Sequence, residues 1–342
     1  MLNSIVSIFV NGNKEIGYGH ISRCLIIARE LFKNKFNVKF IVPDNCSFKD
    51  KIEIEFNVQI IKDFSKVELK KIKKKSNEIA LIDVTELEFN NFKILKEKKI
   101  FDKIISITLF DFNHSSRFED VSFYPSYELS QDITIKTDFG DLIQYIGKKY
   151  LVFNSQDLNI SDSTNNHKVD ILISMGGADP ESFTLKVLES LKNEQLSITV
   201  ILNNKALSYN SVKDFCSKKE NIHLIDFIEN LPSIFSKHKL LIINGGITRY
   251  EAILNRVPFI AISLHKLQFS ITEKVTRMGV GLNLGVGKDL SHFEIRKSIL
   301  ETLANDKRMD EMFYASENLL DNKAPERIVK IIKRINEKNN IF

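Results

Sequence analysis

The stretch Ile5–Lys33, IVSIFVNGNKEIGYGHISRCLIIARELFK, reads as one complete strand-turn-helix unit. Ile5 to Val10 is a short apolar run closed by Asn-Gly-Asn, the mark of a strand buried on both faces of a parallel sheet. From Ile21 to Lys33, residues Cys24, Leu25, Ala28, Leu31 and Phe32 recur at helical spacing and form one apolar face. Between them lies Ile16-Gly17-Tyr18-Gly19-His20-Ile21-Ser22-Arg23-Cys24-Leu25, at the carboxyl edge of the first strand, where open α/β sheets bind ligands. Gly17 and Gly19 permit close approach of the backbone, and the amides opening the helix attract negative charge. His20 stands at the helix start, and histidine is the side-chain type suited to take a proton from water or to assist a leaving group near neutral pH. Its alternative role is to cap the helix. The spacing is not GxGxxG, so NAD binding is not expected.

The same alternation runs outward along the chain. Strands are expected at Val38 to Val42, Val58 to Ile61, Ile79 to Asp83 and Ile104 to Leu109. After a polar, turn-rich tract at 154–168 they recur at Asp170 to Ser174, Ser197 to Leu202, Ile222 to Ile225, Leu240 to Ile243 and Phe259 to Ile262. The fold class is therefore α/β, with two Rossmann-like, doubly wound domains. The expected boundaries are 1–153 for the first domain, 154–168 for a linker and 169–342 for the second, the helix at Ile328 to Lys338 included. A chain of 342 residues with 43% apolar and 27% charged side chains supplies two cores and excludes a disordered class. The excess of 49 basic over 44 acidic residues is small and partly gathered in Leu69 to Lys75, a solvated helix face rather than a nucleic-acid surface. Cys24, Cys46 and Cys216 have neither disulfide-framework nor zinc-site spacing. With no apolar run of membrane length, these features point to a cytoplasmic protein without a transmembrane segment. The oligomeric state is not legible.

Two further turns carry glycine pairs. Ser174-Met175-Gly176-Gly177-Ala178-Asp179-Pro180 follows a strand and suits a phosphate held by backbone amides, or a tight turn capped by Asp179. Asn244-Gly245-Gly246-Ile247-Thr248-Arg249-Tyr250-Glu251 has the Thr-x-x-Glu spacing of a capping box. The same turn suits a diphosphate, with the Glu251 carboxylate turned instead to ribose hydroxyls. Neither turn continues into Gly-Lys-Ser/Thr, so an NTPase is not indicated.

Together these stretches resemble the hydrolase of bacterial pseudaminic acid synthesis, which splits UDP-2,4-diacetamido-2,4,6-trideoxy-β-L-altropyranose into sugar and UDP. They are also similar to spore-coat polysaccharide proteins. The likeness runs from about Ile5 to Gly285, through G-x-G-H-x-x-R (Gly17, Gly19, His20, Arg23), M-G-G-x-D and the glycine turn before Glu251. The last two motifs are shared with many GT-B enzymes, the murein N-acetylglucosaminyltransferase among them. The resemblance implies a GT-B fold whose domains face a cleft, with His20 as the catalytic residue and no metal or cofactor. It implies a substrate side formed by Gly17, Tyr18, Gly19, Arg23, Asp83 and Gln268. UDP would meet Gly176, Gly177, Gly245, Gly246, Ile247 and Thr248, with Gly177, Gly246 and Thr248 at its diphosphate, Glu251 at ribose, and Phe227 and Ile228 near uracil. The chain departs from the family where Phe9-Val10-Asn11 replaces Arg-x-Asp and Asp83-Val84-Thr85 replaces Asp-x-Tyr. His265-Lys266-Leu267-Gln268 keeps only the glutamine of an Asn-Gln pair.

The expected function is a metal-independent UDP-sugar hydrolase serving nonulosonic (pseudaminic) acid or surface polysaccharide synthesis. Two alternatives stay open: a GT-B glycosyltransferase using a UDP-sugar donor, and a non-catalytic nucleotide-sugar binding protein.

Overall fold

The computed structural model describes residues 4–13, 18–107, 117–125, 133–136, 142–153, 169–176, 179–226, 228 and 230–339. The chain divides into two compact units, Met1–Phe153 with Asn322–Phe342, and Asn154–Asp321.

In the first unit the elements run β1 (Ile5–Val10), α1 (Gly19–Lys33), β2 (Asn37–Pro43), α2 (Lys49–Glu53), β3 (Asn57–Ile61), α3 (Lys66–Leu69), β4 (Glu78–Asp83), α4 (Glu86–Phe89), α5 (Lys93–Glu97), β5 (Lys103–Ile107), β6 (Val121–Tyr124), β7 (Ile133–Lys136) and β8 (Ile143–Ile146). The sheet order is β3-β2-β1-β4-β5-β6-β8-β7, parallel except for the β7–β8 pair. β1 is an interior strand, between β2 and β4, and both of its faces are apolar. Val6, Ile8 and Val10 join α1 and β2 in one core. Phe9 points to the opposite face, edge-on to Phe92 at 5.3 Å and Phe101 at 5.7 Å.

The second unit holds β9 (Val169–Ser174), α6 (Phe183–Ser190), β10 (Ile198–Ile201), α7 (Tyr209–Cys216), β11 (Ile222–Ile225), β12 (His238–Asn244), α8 (Thr248–Leu254), β13 (Phe259–Ser263), α9 (Lys266–Val275), β14 (Gly281–Val286), α10 (His292–Leu303) and α11 (Asp306–Ala315). Its sheet order is β11-β10-β9-β12-β13-β14, parallel throughout. In both sheets the order reverses beside the first strand, between β1 and β4 and between β9 and β12. Connections leave such a switch point to opposite faces and open a crevice at the strands' carboxyl ends.

The last helix, α12 (Ala324–Asn339), corrects the expected boundary of the second domain. Its apolar stripe of Ala324, Ile328, Val329 and Ile332 is buried in the core that contains α1, so the chain returns to the first unit after Asp321. An amphipathic stripe buries where an unfilled apolar face exists, and α1 supplies one. The expected linker at 154–168 lies outside the described residues. Among the described residues, no helix is long and apolar enough to cross a membrane.

Candidate active site

At the first switch point, β1 and β4 pair in register with Val10 opposite Asp83. This register sets the Asp83 carboxylate beneath the first turn of α1. His20 and Arg23, three residues apart, share the helix face above it. The Nδ1 of His20 is 2.6 Å from Asp83 Oδ1. Arg23 donates to both carboxylate oxygens, Nε to Oδ2 at 2.7 Å and Nη2 to Oδ1 at 2.6 Å. The Asp83 side chain is 0% exposed and that of Arg23 4%, while that of His20 keeps 21%. A carboxylate 2.6 Å from Nδ1 only accepts, so the proton of a neutral imidazole rests on Nδ1 and the Nε2 lone pair is left to act as a base. Cys24 Sγ completes the surroundings, 3.5 Å from Asp83 Oδ2.

Burying a charged pair is costly unless its hydrogen-bonding capacity is met, and here it is met on both sides of the carboxylate. Burial alone pushes the Asp83 carboxyl up. The charges of Arg23 and His20 and their hydrogen bonds outweigh it and hold the group well below the usual carboxylate range. For Arg23, burial pulls down, but the Asp83 charge and hydrogen bonds raise the guanidinium further. Burial and the Asp83 charge push the Cys24 thiol well up, so it is an inert thiol. The sequence reading set Arg23 and Asp83 against the substrate. In the structure both side chains are buried, and the half-buried imidazole of His20 lies against the Asp83 carboxylate.

Gly17 lies outside the described residues. Gly19 opens α1, with Tyr18 as its N-cap and no side-chain cap bond. The Tyr18 ring is tilted over Phe48 at 4.9 Å, and the Lys51 ammonium lies 5.0 Å from its centroid. Sequence reasoning missed a tie across the same switch point: buried Asn11 donates from Nδ2 to Glu88 Oε1 at 3.0 Å. Glu88 in turn closes a capping box with Thr85 at the start of α4. The Thr85-x-x-Glu88 spacing was the signal that was available for it.

In the second unit the two glycine turns leave adjacent strands, β9 and β12, and Asn244 joins them. Its Nδ2 donates to the Met175 carbonyl at 2.9 Å, and its Oδ1 accepts from the Gly246 amide at 2.9 Å. A Cβ on Gly176 would stand 2.7 Å from Asn244 Nδ2, and one on Gly246 would stand 2.8 Å from Asn244 Oδ1. Both glycines thus make room for the asparagine, whatever else they do. Gly177 lies outside the described residues. Asp179 takes the amides of Phe183 and Thr184 at 2.9 Å each, so the start of α6 is filled by its own carboxylate rather than open to a phosphate. Burial holds that carboxyl above its ordinary value against the pull of those bonds.

The expected capping box at Thr248 is not formed. Ile247 is the N-cap of α8, without a side-chain bond, and Thr248 is the first helical residue. The Asn244 side chain instead holds the Gly246 amide, one residue ahead of the N-cap. Among the described residues no acceptor takes the amides of Ile247 or Thr248, while Glu251 is half-buried one turn along. Arg249, buried, donates from Nη1 to the Gly246 carbonyl at 3.0 Å and from Nη2 to the Tyr250 hydroxyl at 2.8 Å. Gln268, expected at the substrate, uses Oε1 to accept the Leu264 amide at 2.6 Å. Ile228 is half-buried beyond β11, and Phe227 lies outside the described residues.

No protein-family model matches the chain. It is 29% identical over 280 residues to an uncharacterized protein of Methanocaldococcus jannaschii, a match that covers 77% of this chain and 56% of that protein. The chain therefore spans little more than half the length of that relative. It is 22% identical over 298 residues to a spore coat polysaccharide biosynthesis protein of Bacillus subtilis, covering 83% of this chain and 84% of the relative. To the UDP-2,4-diacetamido-2,4,6-trideoxy-beta-L-altropyranose hydrolase of Campylobacter jejuni it is 25% identical over 272 residues, covering 79% of this chain and 95% of the relative. Among solved structures it is similar to MurG of Acinetobacter baumannii, with a TM-score of 0.68, 12% identity and coverage of 97% and 99%. A UDP-GlcNAc 2-epimerase of Neisseria meningitidis bound to UDP-GlcNAc gives a TM-score of 0.64, 14% identity and coverage of 97% and 100%. The fold is of the GT-B type, two Rossmann-like domains in one chain.

Proposed function

We propose that this protein is an enzyme that processes a UDP-sugar, and that its reaction is hydrolysis without a metal ion. The products are UDP and a free amino-deoxy sugar destined for a nonulosonic acid of the pseudaminic type or for a surface polysaccharide. One observation carries the reading: His20 Nδ1 is engaged by the buried Asp83 carboxylate at 2.6 Å, which leaves Nε2 as the proton acceptor of a half-buried imidazole. The relative named as a UDP-sugar hydrolase, matched over 95% of its length, supports the choice of reaction.

In this reading His20 Nε2 takes a proton from water as the water oxygen bonds to the anomeric carbon. The bond from that carbon to the diphosphate breaks, and its electron pair leaves with UDP. Attack opposite the leaving group inverts the anomeric centre. Gly17, Tyr18, Gly19 and Gln268 border the sugar, and Arg23 and Asp83 act through the imidazole. The diphosphate meets Gly176, Gly177, Gly245, Gly246, Ile247 and Thr248, and backbone amides there stabilise its charge as it departs. Glu251 meets the ribose, with Phe227 and Ile228 beside the uracil.

Incubation with a panel of UDP-sugars tests this. The protein releases UDP without an added acceptor, and His20→Ala lowers turnover by roughly 10²–10⁴ while UDP still binds in calorimetry. Release that persists in His20→Ala removes the histidine from the chemistry. Release that waits for a sugar or lipid hydroxyl replaces hydrolysis with glycosyl transfer.

A further inference from the structure

We infer that Arg23 is the positioning residue that makes His20 a base, by fixing the protons around Asp83 so that the imidazole carries its hydrogen on Nδ1. The inference rests on the proposed role of His20 and concerns a side chain that touches no substrate. Three groups converge on one buried carboxylate: His20 Nδ1 at 2.6 Å, the two-pronged guanidinium at 2.6 and 2.7 Å, and the Cys24 thiol at 3.5 Å. Arg23 Nη2 also lies 3.3 Å from His20 Nδ1, so the cation borders the imidazole directly.

The proton count follows from charge. With the guanidinium in place, Asp83 stays anionic at full burial and only accepts, which draws the imidazole hydrogen to Nδ1 and bares Nε2. Without it, a carboxylate with 0% exposure faces the imidazole with no other described counter-charge, and two arrangements relieve it. Either the carboxyl takes a proton and donates it to Nδ1, which moves the ring hydrogen to Nε2, or the imidazole holds both protons and pairs with the anion. Each arrangement removes the Nε2 lone pair. Orientation of the ring by Asp83 alone leaves both arrangements open, and the guanidinium, set by the helical spacing of His20 and Arg23, closes them by holding the carboxylate anionic.

Nitrogen-15 NMR of the histidine-labelled full chain reads the tautomer without any substrate. In the wild type, the neutral form of the His20 ring shows a protonated Nδ1 and a bare Nε2. In Arg23→Gln that signature is lost, and kcat for UDP release falls at least tenfold with KM changed less than twofold. Arg23→Lys returns the charge through one donor and restores the Nδ1–H signature with part of kcat. A wild-type ring with its hydrogen on Nε2, or an Arg23→Gln protein that keeps both the Nδ1–H signature and wild-type kcat, overturns the inference. Should Arg23→Gln fail to fold, the wild-type tautomer and the Arg23→Lys variant decide it: a Lys variant that folds but lacks the signature counts against it. A wild type that turns over no UDP-sugar yet shows the Nδ1–H tautomer refutes the hydrolase reading and leaves the inference standing.

Discussion

A single glycine shows how tightly the second unit's turn is built. A Cβ on Gly245 would stand 2.5 Å from Thr272 Oγ1, 2.7 Å from Gln268 Cγ and 3.0 Å from Ser263 Oγ, so α9 closes on the backbone with no space left. Overpacking of this kind costs about 1–3 kcal/mol. Gly245→Ala is expected to lower the denaturation midpoint accordingly, and an unchanged midpoint would show that the turn moves aside freely. At Gly176 the cost has a second source, because its φ of +89° is left-handed and an alanine there strains the backbone before it meets Asn244. These glycines were legible in the sequence as a pattern, but their nearest physical cause was not. The sequence suggested a diphosphate, whereas the structure also sets the Asn244 amide against two of them. Asp83 was legible as a candidate site residue, but its burial and its pairing with His20 and Arg23 were not, since they depend on a register that no local pattern states.

At the scale of elements, α1 carries the proposed base and its positioning arginine, and α12 holds α1 in place from the far end of the chain. Ile328 and Ile332 are fully buried in the shared core, and truncating a buried isoleucine costs about 2–5 kcal/mol. Ile328→Ala and Ile332→Ala should therefore destabilise the first unit and speed amide exchange along 19–33, with His20-dependent turnover falling in step. Exchange along 19–33 that stays at the wild-type rate would mean that α1 keeps its place without the terminal helix. The spacing of α12 was readable, yet its destination was not, because an apolar stripe specifies that it must be covered and not by what. The missed strands have a similar cause. β6 and β8, VSFY and IQYI, are four residues each, and β14, GLNLGV, mixes glycine and asparagine into a strand whose middle is half-buried. Neither length nor alternation separates them from loops.

Across the whole molecule the two units repeat one solution, an asparagine beside the switch point that ties neighbouring strands' loops together, Asn11 to Glu88 in one and Asn244 to Met175 in the other. They differ in the buried titratable group each depends on, and this separates them by pH. In the second unit His238 is buried, its Nδ1 2.8 Å from the Ile234 carbonyl and its Nε2 2.9 Å from Thr199 Oγ1. Burial, against the pull of that carbonyl and with help from Lys237, holds the imidazole below its ordinary pKa. The unfolded chain therefore binds the extra proton first. The stability that neutral His238 contributes is complete above the ordinary histidine value of about 6.5 and drains away as pH falls from there toward the folded value. Asp83 in the first unit is also depressed, but from a carboxylate's ordinary value of about 3.9, so its contribution is complete above that value and is lost only in stronger acid. Between pH 7.5 and 5 the loss from these two groups falls on the second unit alone. Amide exchange across that range should show β9, β10 and β12 losing protection before β1 and β4, and His238→Gln should flatten the pH dependence of the second unit while leaving that of the first. Equal slopes in wild type and variant, or earlier opening of β1 and β4, would show that His238 does not govern the acid response.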